Sequence, residues 1–102
     1  MSEAELLAEV LRLADFYGLL SFHCYDSRKA IGTGYPDLTL VGHQGVIWAE
    51  LKDSAGTLSP AQVSWRYSLI AGGQRCLVWR PSDLDSGLIE SELSALAYDY
   101  AA

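Results

Sequence analysis

The sequence predicts a small α/β domain, a mixed central sheet flanked by helices in the order α-β-β-β-α-β-α. Three observations lead to this. Apolar residues recur at helical spacing up to Tyr17; short runs rich in aromatic and β-branched residues are separated by glycine-bearing loops; and a helix opening at Ser59-Pro60 divides the third such run from a fourth. With 102 residues, the chain closes one hydrophobic core, so a single domain over residues 1–102 is expected.

The first helix starts at Ser2, with Glu5 three positions on as the second half of a capping box. Leu6, Leu7, Val10, Leu13, Ala14 and Tyr17 form its apolar stripe, and Gly18 ends it. Leu19 to Tyr25 is a strand-like run, and Asp26 to Tyr35 is a loop punctuated by Gly32 and Gly34. Asp37–Val41 and Val46–Lys52 are strands joined by the turn Gly42-His43-Gln44-Gly45. The second helix takes Ser59 as cap and Pro60 as first residue and ends at Gly72-Gly73. Arg75–Arg80 is the last strand, and the tail from Ser82 is helical, in two pieces broken at Gly87.

Half the residues are apolar and 20% charged, which excludes a disordered chain. The apolar runs are too short for a membrane-spanning helix, and the acidic N-terminus lacks the pattern of a signal peptide, so a cytoplasmic location is expected. Cys24 and Cys76 stand far apart beside apolar residues and read as two buried thiols; no spacing suggests structural zinc. Net charge is −6, which on its own argues against a phosphate-rich partner. The charge is uneven, however. Residues 1–27 hold one basic and five acidic side chains, residues 28–80 six basic and three acidic, and residues 81–102 five acidic and none basic. The positive block lies in the middle.

That middle holds the chemistry. Side chains alternate along a strand, so Glu50 and Lys52 point one way and Leu51 the other. Pairing through the Gly42–Gly45 turn brings Asp37 beside Glu50, and two carboxylates and an ammonium converge. Carboxylates so placed repel unless a cation neutralises them, and hard oxygen donors suit Mg²⁺ or Mn²⁺. The plainer alternative is a Glu50–Lys52 salt bridge on an open hairpin face. On the first helix, Glu3 falls near the apolar stripe while Glu5, Glu9 and Arg12 fall opposite; Glu3 is either a first-turn carboxylate favoured by the helix dipole or a third acid reaching the site. Gln62 completes a capping box with Ser59, yet shares a face with Trp65 and Leu69 from which it could reach an active-site group.

Taken together, Gly34-Tyr35-Pro36-Asp37-Leu38, Ala49-Glu50-Leu51-Lys52 and Leu58-Ser59-Pro60-Ala61-Gln62 with Trp65 resemble the VRR-NUC branch of the PD-(D/E)xK nuclease superfamily, above all its short stand-alone phage and bacterial members. The resemblance runs from Glu3 to about Leu84. It implies a restriction-endonuclease-like fold and Mg²⁺- or Mn²⁺-dependent hydrolysis of DNA phosphodiester bonds. Carried over by position, Asp37 and Glu50 are metal ligands with the Leu51 carbonyl, Lys52 is the catalytic lysine, Gln62 is the helix-borne glutamine and Glu3 the helix-one glutamate, Glu9 being the other acid on that helix. His23, Ser27, Arg28 and Lys29 fall in a segment similar to one preceding the motif in phage-type members, and with Arg66 they form the expected DNA-binding set.

Stand-alone members are similar to Holliday-junction resolvases, which implies a homodimer acting on branched DNA. The chain shows no helix-turn-helix or zinc module to read bases, so structure-directed cleavage is expected over sequence-specific cutting. Trp48, Trp65, Trp79 and the tyrosines are candidates for an apolar interface, although most of them belong to the core. The other class left open is a non-catalytic nuclease-fold module binding DNA or protein.

Overall fold

The computed structural model describes residues 1–23 and 31–98. Eight elements follow in order: α1 (Glu3–Phe16), β1 (Leu20–His23), β2 (Leu38–Gly42), β3 (Gly45–Leu51), α2 (Pro60–Ala71), β4 (Arg75–Trp79), α3 (Pro81–Asp85) and α4 (Leu88–Ala97). Both capping boxes form as expected: Ser2 Oγ accepts from Glu5 N at 3.1 Å, and Ser59 Oγ from Gln62 N at 3.2 Å. Gly87 sits at φ 84°, a left-handed position open to glycine, and splits the helical tail into α3 and α4.

The four strands lie in sequence order, β1-β2-β3-β4. β1 pairs antiparallel with β2, and β2 with β3; β3 pairs parallel with β4, as a connection through a helix permits. Gly42 pairs with Gly45, so His43-Gln44 forms the two-residue tip of the hairpin. The expected strand Leu19–Tyr25 is found as Leu20–His23; Cys24 to Ala30 lie outside the described residues.

One face of the sheet carries the core. Leu38, Leu40, Ile47, Ala49, Leu51 and Trp79 meet Leu6, Val10, Leu13 and Ala14 of α1 and Ile89, Leu93 and Leu96 of α4. The stripe read from α1 is the buried one, with Leu7 and Tyr17 partly covered at its margins. Tyr17 Oη donates to Glu90 Oε1 at 2.9 Å and ties α1 to α4. The hairpin tip is fastened to the far end of α4. Gln44 N donates to the Leu96 carbonyl at 3.0 Å and Gln44 Nε2 to the Tyr98 carbonyl at 2.7 Å. A Cβ at Gly42 would fall 2.4 Å from the Leu96 carbonyl oxygen, so only glycine lets this strand end meet that helix end. α2 lies toward the opposite face, where Gln62 reaches Glu50. Among the described residues, no helix is long and apolar enough to cross a membrane.

Candidate active site

The site forms where β2 begins and β3 ends. Leu38 pairs with Ala49, so Asp37, one residue earlier, stands beside Glu50, one residue later. Asp37 Oδ2 accepts the Leu51 N–H at 2.8 Å, extending the ladder with a side chain. Asp37 is held from its other side by His23: Nδ1 lies 2.9 Å from the Asp37 carbonyl, and because a carbonyl only accepts, Nδ1 carries the proton. Pro36 removes a donor and fixes φ just ahead of the acid. Before it, Gly34 lies at φ 90° with its α-carbon against α2, where a Cβ would come within 2.5 Å of the Ala61 carbonyl carbon. The glycine of the motif thus brings the acid-bearing loop against the helix that carries Gln62.

Glu50 is buried, 3% exposed, in a strand whose other buried side chains are apolar. Gln62 Nε2 donates to its Oε1 at 3.2 Å, while Gln62 Oε1 accepts from Ser59 N at 2.9 Å. One amide therefore both caps α2 and bonds the buried Glu50. Glu50 bonds Gln62 rather than Lys52, and the ion pairs among the described residues are Arg12–Glu9 and Arg75–Glu92, so the hairpin-face salt bridge is not the arrangement found. Burial pushes the Glu50 carboxyl up to about 9. The hydrogen bond and charge of Asp37 push the same way, Lys52 pulls it down and Glu3 adds a further upward push. Burial and the neighbouring carboxylate thus both favour the protonated form of Glu50.

A cavity of about 150 Å³ opens beside the pair, lined by Glu3, Ala4, Leu7, His23, Asp37 and Leu51. Glu3, in the first turn of α1, is exposed rather than packed, and it lines the cavity. Glu9 is bonded to Arg12 at 2.9 Å. Among the described residues, no three His, Cys, Asp or Glu side chains are gathered as a metal site. The donor set still fits a hard divalent ion. Two adjoining carboxylates offer oxygen ligands and the charge that such an ion neutralises.

Among solved structures, a protein titled "VRR_NUC domain protein" is similar over 97% of this chain and 93% of its own, with a TM-score of 0.69 and 21% identity. The fold is that of a VRR-NUC domain. No protein-family model matches the sequence, and neither does any curated protein. The likeness spans nearly the whole of this small α/β domain with its four-stranded mixed sheet.

Other expected site residues are placed unevenly. Ser27, Arg28 and Lys29 lie outside the described residues. Arg66 stands one turn beyond Gln62 on the inward face of α2, with Nε buried and unpartnered among the described residues. The tryptophans are engaged within the chain: Trp79 is 1% exposed in the core, Trp48 Nε1 donates to Tyr35 Oη at 2.9 Å, and Trp65 meets the Tyr35 ring edge-on. Cys76 is a buried thiol, and burial raises its pKa; Cys24 is outside the described residues.

Two groups escape the sequence reading. Tyr35 Oη joins Trp48 to Thr39 Oγ1, 2.6 Å away, bracing the residues two positions ahead of Asp37 and of Glu50. Arg80 and the Asp53–Gly56 turn form the second. The aromatic beside Pro36-Asp37 and the Asp-x-x-Gly spacing were the available signals.

Proposed function

We propose that the chain is a VRR-NUC family nuclease, a Mg²⁺- or Mn²⁺-dependent endonuclease that hydrolyses DNA phosphodiester bonds. The observation that carries this reading is the placement of Asp37 beside the buried Glu50 at the end of a hairpin within a VRR-NUC fold, with Lys52 just past the end of β3. Asp37, Glu50 and the Leu51 carbonyl would hold the ion, with Glu3 at the rim. Bound there, it would supply a Lewis acid for a phosphoryl oxygen and lower the pKa of a water.

The chain's own residues supply the rest. His23 and the Leu51 N–H fix Asp37 at two points. Gln62 fixes Glu50. Lys52 places positive charge where negative charge grows on the phosphate, which is worth most in a site that excludes water. His23, Ser27, Arg28, Lys29 and Arg66 would contact DNA.

Branched DNA, Holliday junctions among it, is the proposed substrate, because no base-reading element accompanies the site among the described residues. Paired incision needs two sites, so the acting species would be a homodimer. Support for a second copy comes from edge strand β1: Leu20 and Phe22 are mostly exposed, with Val41 opposite Leu20 on the same face.

The test is to incubate the protein with a four-way junction, a flap and linear duplex in Mg²⁺, Mn²⁺ or EDTA. Metal-dependent cutting of the branched substrates, lost in Lys52→Ala with fold and junction binding kept, is expected. Absence of cutting on all three at high protein concentration would leave the binding-module reading instead; normal cutting by Lys52→Ala would mean that the assigned site is wrong.

A further inference from the structure

Lys52 follows the last residue of β3, and a lysine on a four-carbon stem needs outside support to hold its ammonium in one place. Its backbone is secured by β4, the Lys52 N–H donating to the Trp79 carbonyl at 3.0 Å. Its stem runs along the turn Asp53–Gly56: a Cβ placed on Gly56 would lie 3.4 Å from Lys52 Cδ and 3.2 Å from Asp53 Oδ1. The turn is closed internally by Asp53 Oδ1, which accepts from Ala55 N at 3.0 Å and Gly56 N at 2.6 Å. It belongs to neither helix nor strand.

What fastens it to the body of the protein is Arg80. Its Nη1 donates to the Asp53 carbonyl at 2.7 Å and to the Gly56 carbonyl at 2.8 Å, the two ends of the turn. Arg80 is itself anchored where α3 begins, its N–H donating to Asp83 Oδ2 at 2.8 Å and its carbonyl accepting from Asp83 N at 2.9 Å. A half-buried guanidinium directed at two backbone carbonyls is not presented to a phosphate.

We propose that Arg80 is a positioning residue for Lys52: it clamps the Asp53–Gly56 turn against the lysine stem and keeps the ammonium at the Asp37–Glu50 site. This rests on reading Lys52 as the catalytic lysine. A charge displaced by about 1 Å costs rate by up to about 100-fold while leaving substrate binding intact.

The experiment compares wild type, Arg80→Gln and Arg80→Lys in three measurements: single-turnover cleavage of a four-way junction in Mn²⁺, junction affinity in Ca²⁺, and backbone amide exchange. Arg80→Gln is expected to cut about 10- to 100-fold more slowly at saturating enzyme. Its junction affinity should stay within about twofold, and the Ala55 and Gly56 amides should exchange at least about tenfold faster while those of β3 are unchanged. Arg80→Lys should recover part of both rate and protection, since an ammonium can still reach these carbonyls. Wild-type cleavage by Arg80→Gln would overturn the proposal. So would weakened affinity at an unchanged saturated rate, which makes Arg80 a phosphate contact, or equally faster exchange throughout β3, which makes it a general structural residue. Failure of the nuclease reading is visible separately, because wild type itself would then be inactive and the proposal would fall with it.

Discussion

Replacing Glu50 by glutamine keeps shape and the bond from Gln62 but removes a titrating group from a buried site. In the folded protein, burial first, and then Asp37, hold the Glu50 carboxyl at about 9, against 4.5 for an ordinary glutamate. Between those values the native state keeps a proton that the unfolded chain has lost. The stability Glu50 contributes is therefore complete below pH 4.5 and is lost as pH rises toward 9. One proton corresponds to about 1.4 kcal/mol per pH unit, so wild type in EDTA should lose about 4 kcal/mol between pH 5 and pH 8 from this group. Glu50→Gln removes that slope and should be the more stable protein at pH 8, with Tm higher by about 10 °C or more. Tryptophan fluorescence in urea, at several pH values in EDTA, measures both curves, and their difference removes every group the two proteins share. Mn²⁺ at pH 8 should restore stability to wild type and leave the variant unmoved, since the ion takes the proton's place. Parallel stability–pH curves for the two proteins would refute the reasoning, because Glu50 would then titrate as an ordinary glutamate.

Other perturbations follow from the same geometry. Asp37→Asn and Asp37→Ala should both be inactive, but only alanine orphans the Leu51 N–H, at a cost of about 1–3 kcal/mol in urea unfolding; equal stability of the two would remove that bond from the account. Gly34→Ala forces a methyl group into the Ala61 backbone at a positive φ, and thermal melts should show a loss of at least about 2 kcal/mol. Glu3→Gln should slow cleavage and Glu9→Gln should not, Glu9 being bonded to Arg12; the reverse result would move the helix-one ligand along α1.

The Asp37–Glu50 pairing was legible because strand alternation and a two-residue hairpin tip leave little freedom of register. The same holds for Ser2 and Ser59, whose caps depend on neighbours three residues away. Glu3 shares the azimuth of the apolar stripe yet is exposed, since helical spacing gives the direction of a side chain but not its depth. Arg80 was read as the last residue of a strand. Its bonds to Asp53 and Gly56 cross 27 and 24 positions and end on backbone carbonyls, which leave no periodicity or motif in a sequence. The fastening of Gln44 to Leu96 and Tyr98 was hidden for the same reason.

That fastening has an electrostatic consequence. It sets the C-terminal end of α4 at the hairpin tip, and Glu50 lies five steps along β3 from Gly45 at that tip, roughly 17 Å of extended chain. Glu92 of α4 is drawn to Arg75, which pairs with Ile47 on the tip side of the sheet, and Glu90 to Tyr17. At physiological ionic strength the field of an exposed charge fades over about 8 Å. A phosphate arriving at the Glu50 end therefore meets the charges of that end, with or without a cation, and senses little of the acids on α4. The ionic atmosphere divides this small molecule into two electrostatic neighbourhoods, and the net charge of −6 describes neither of them.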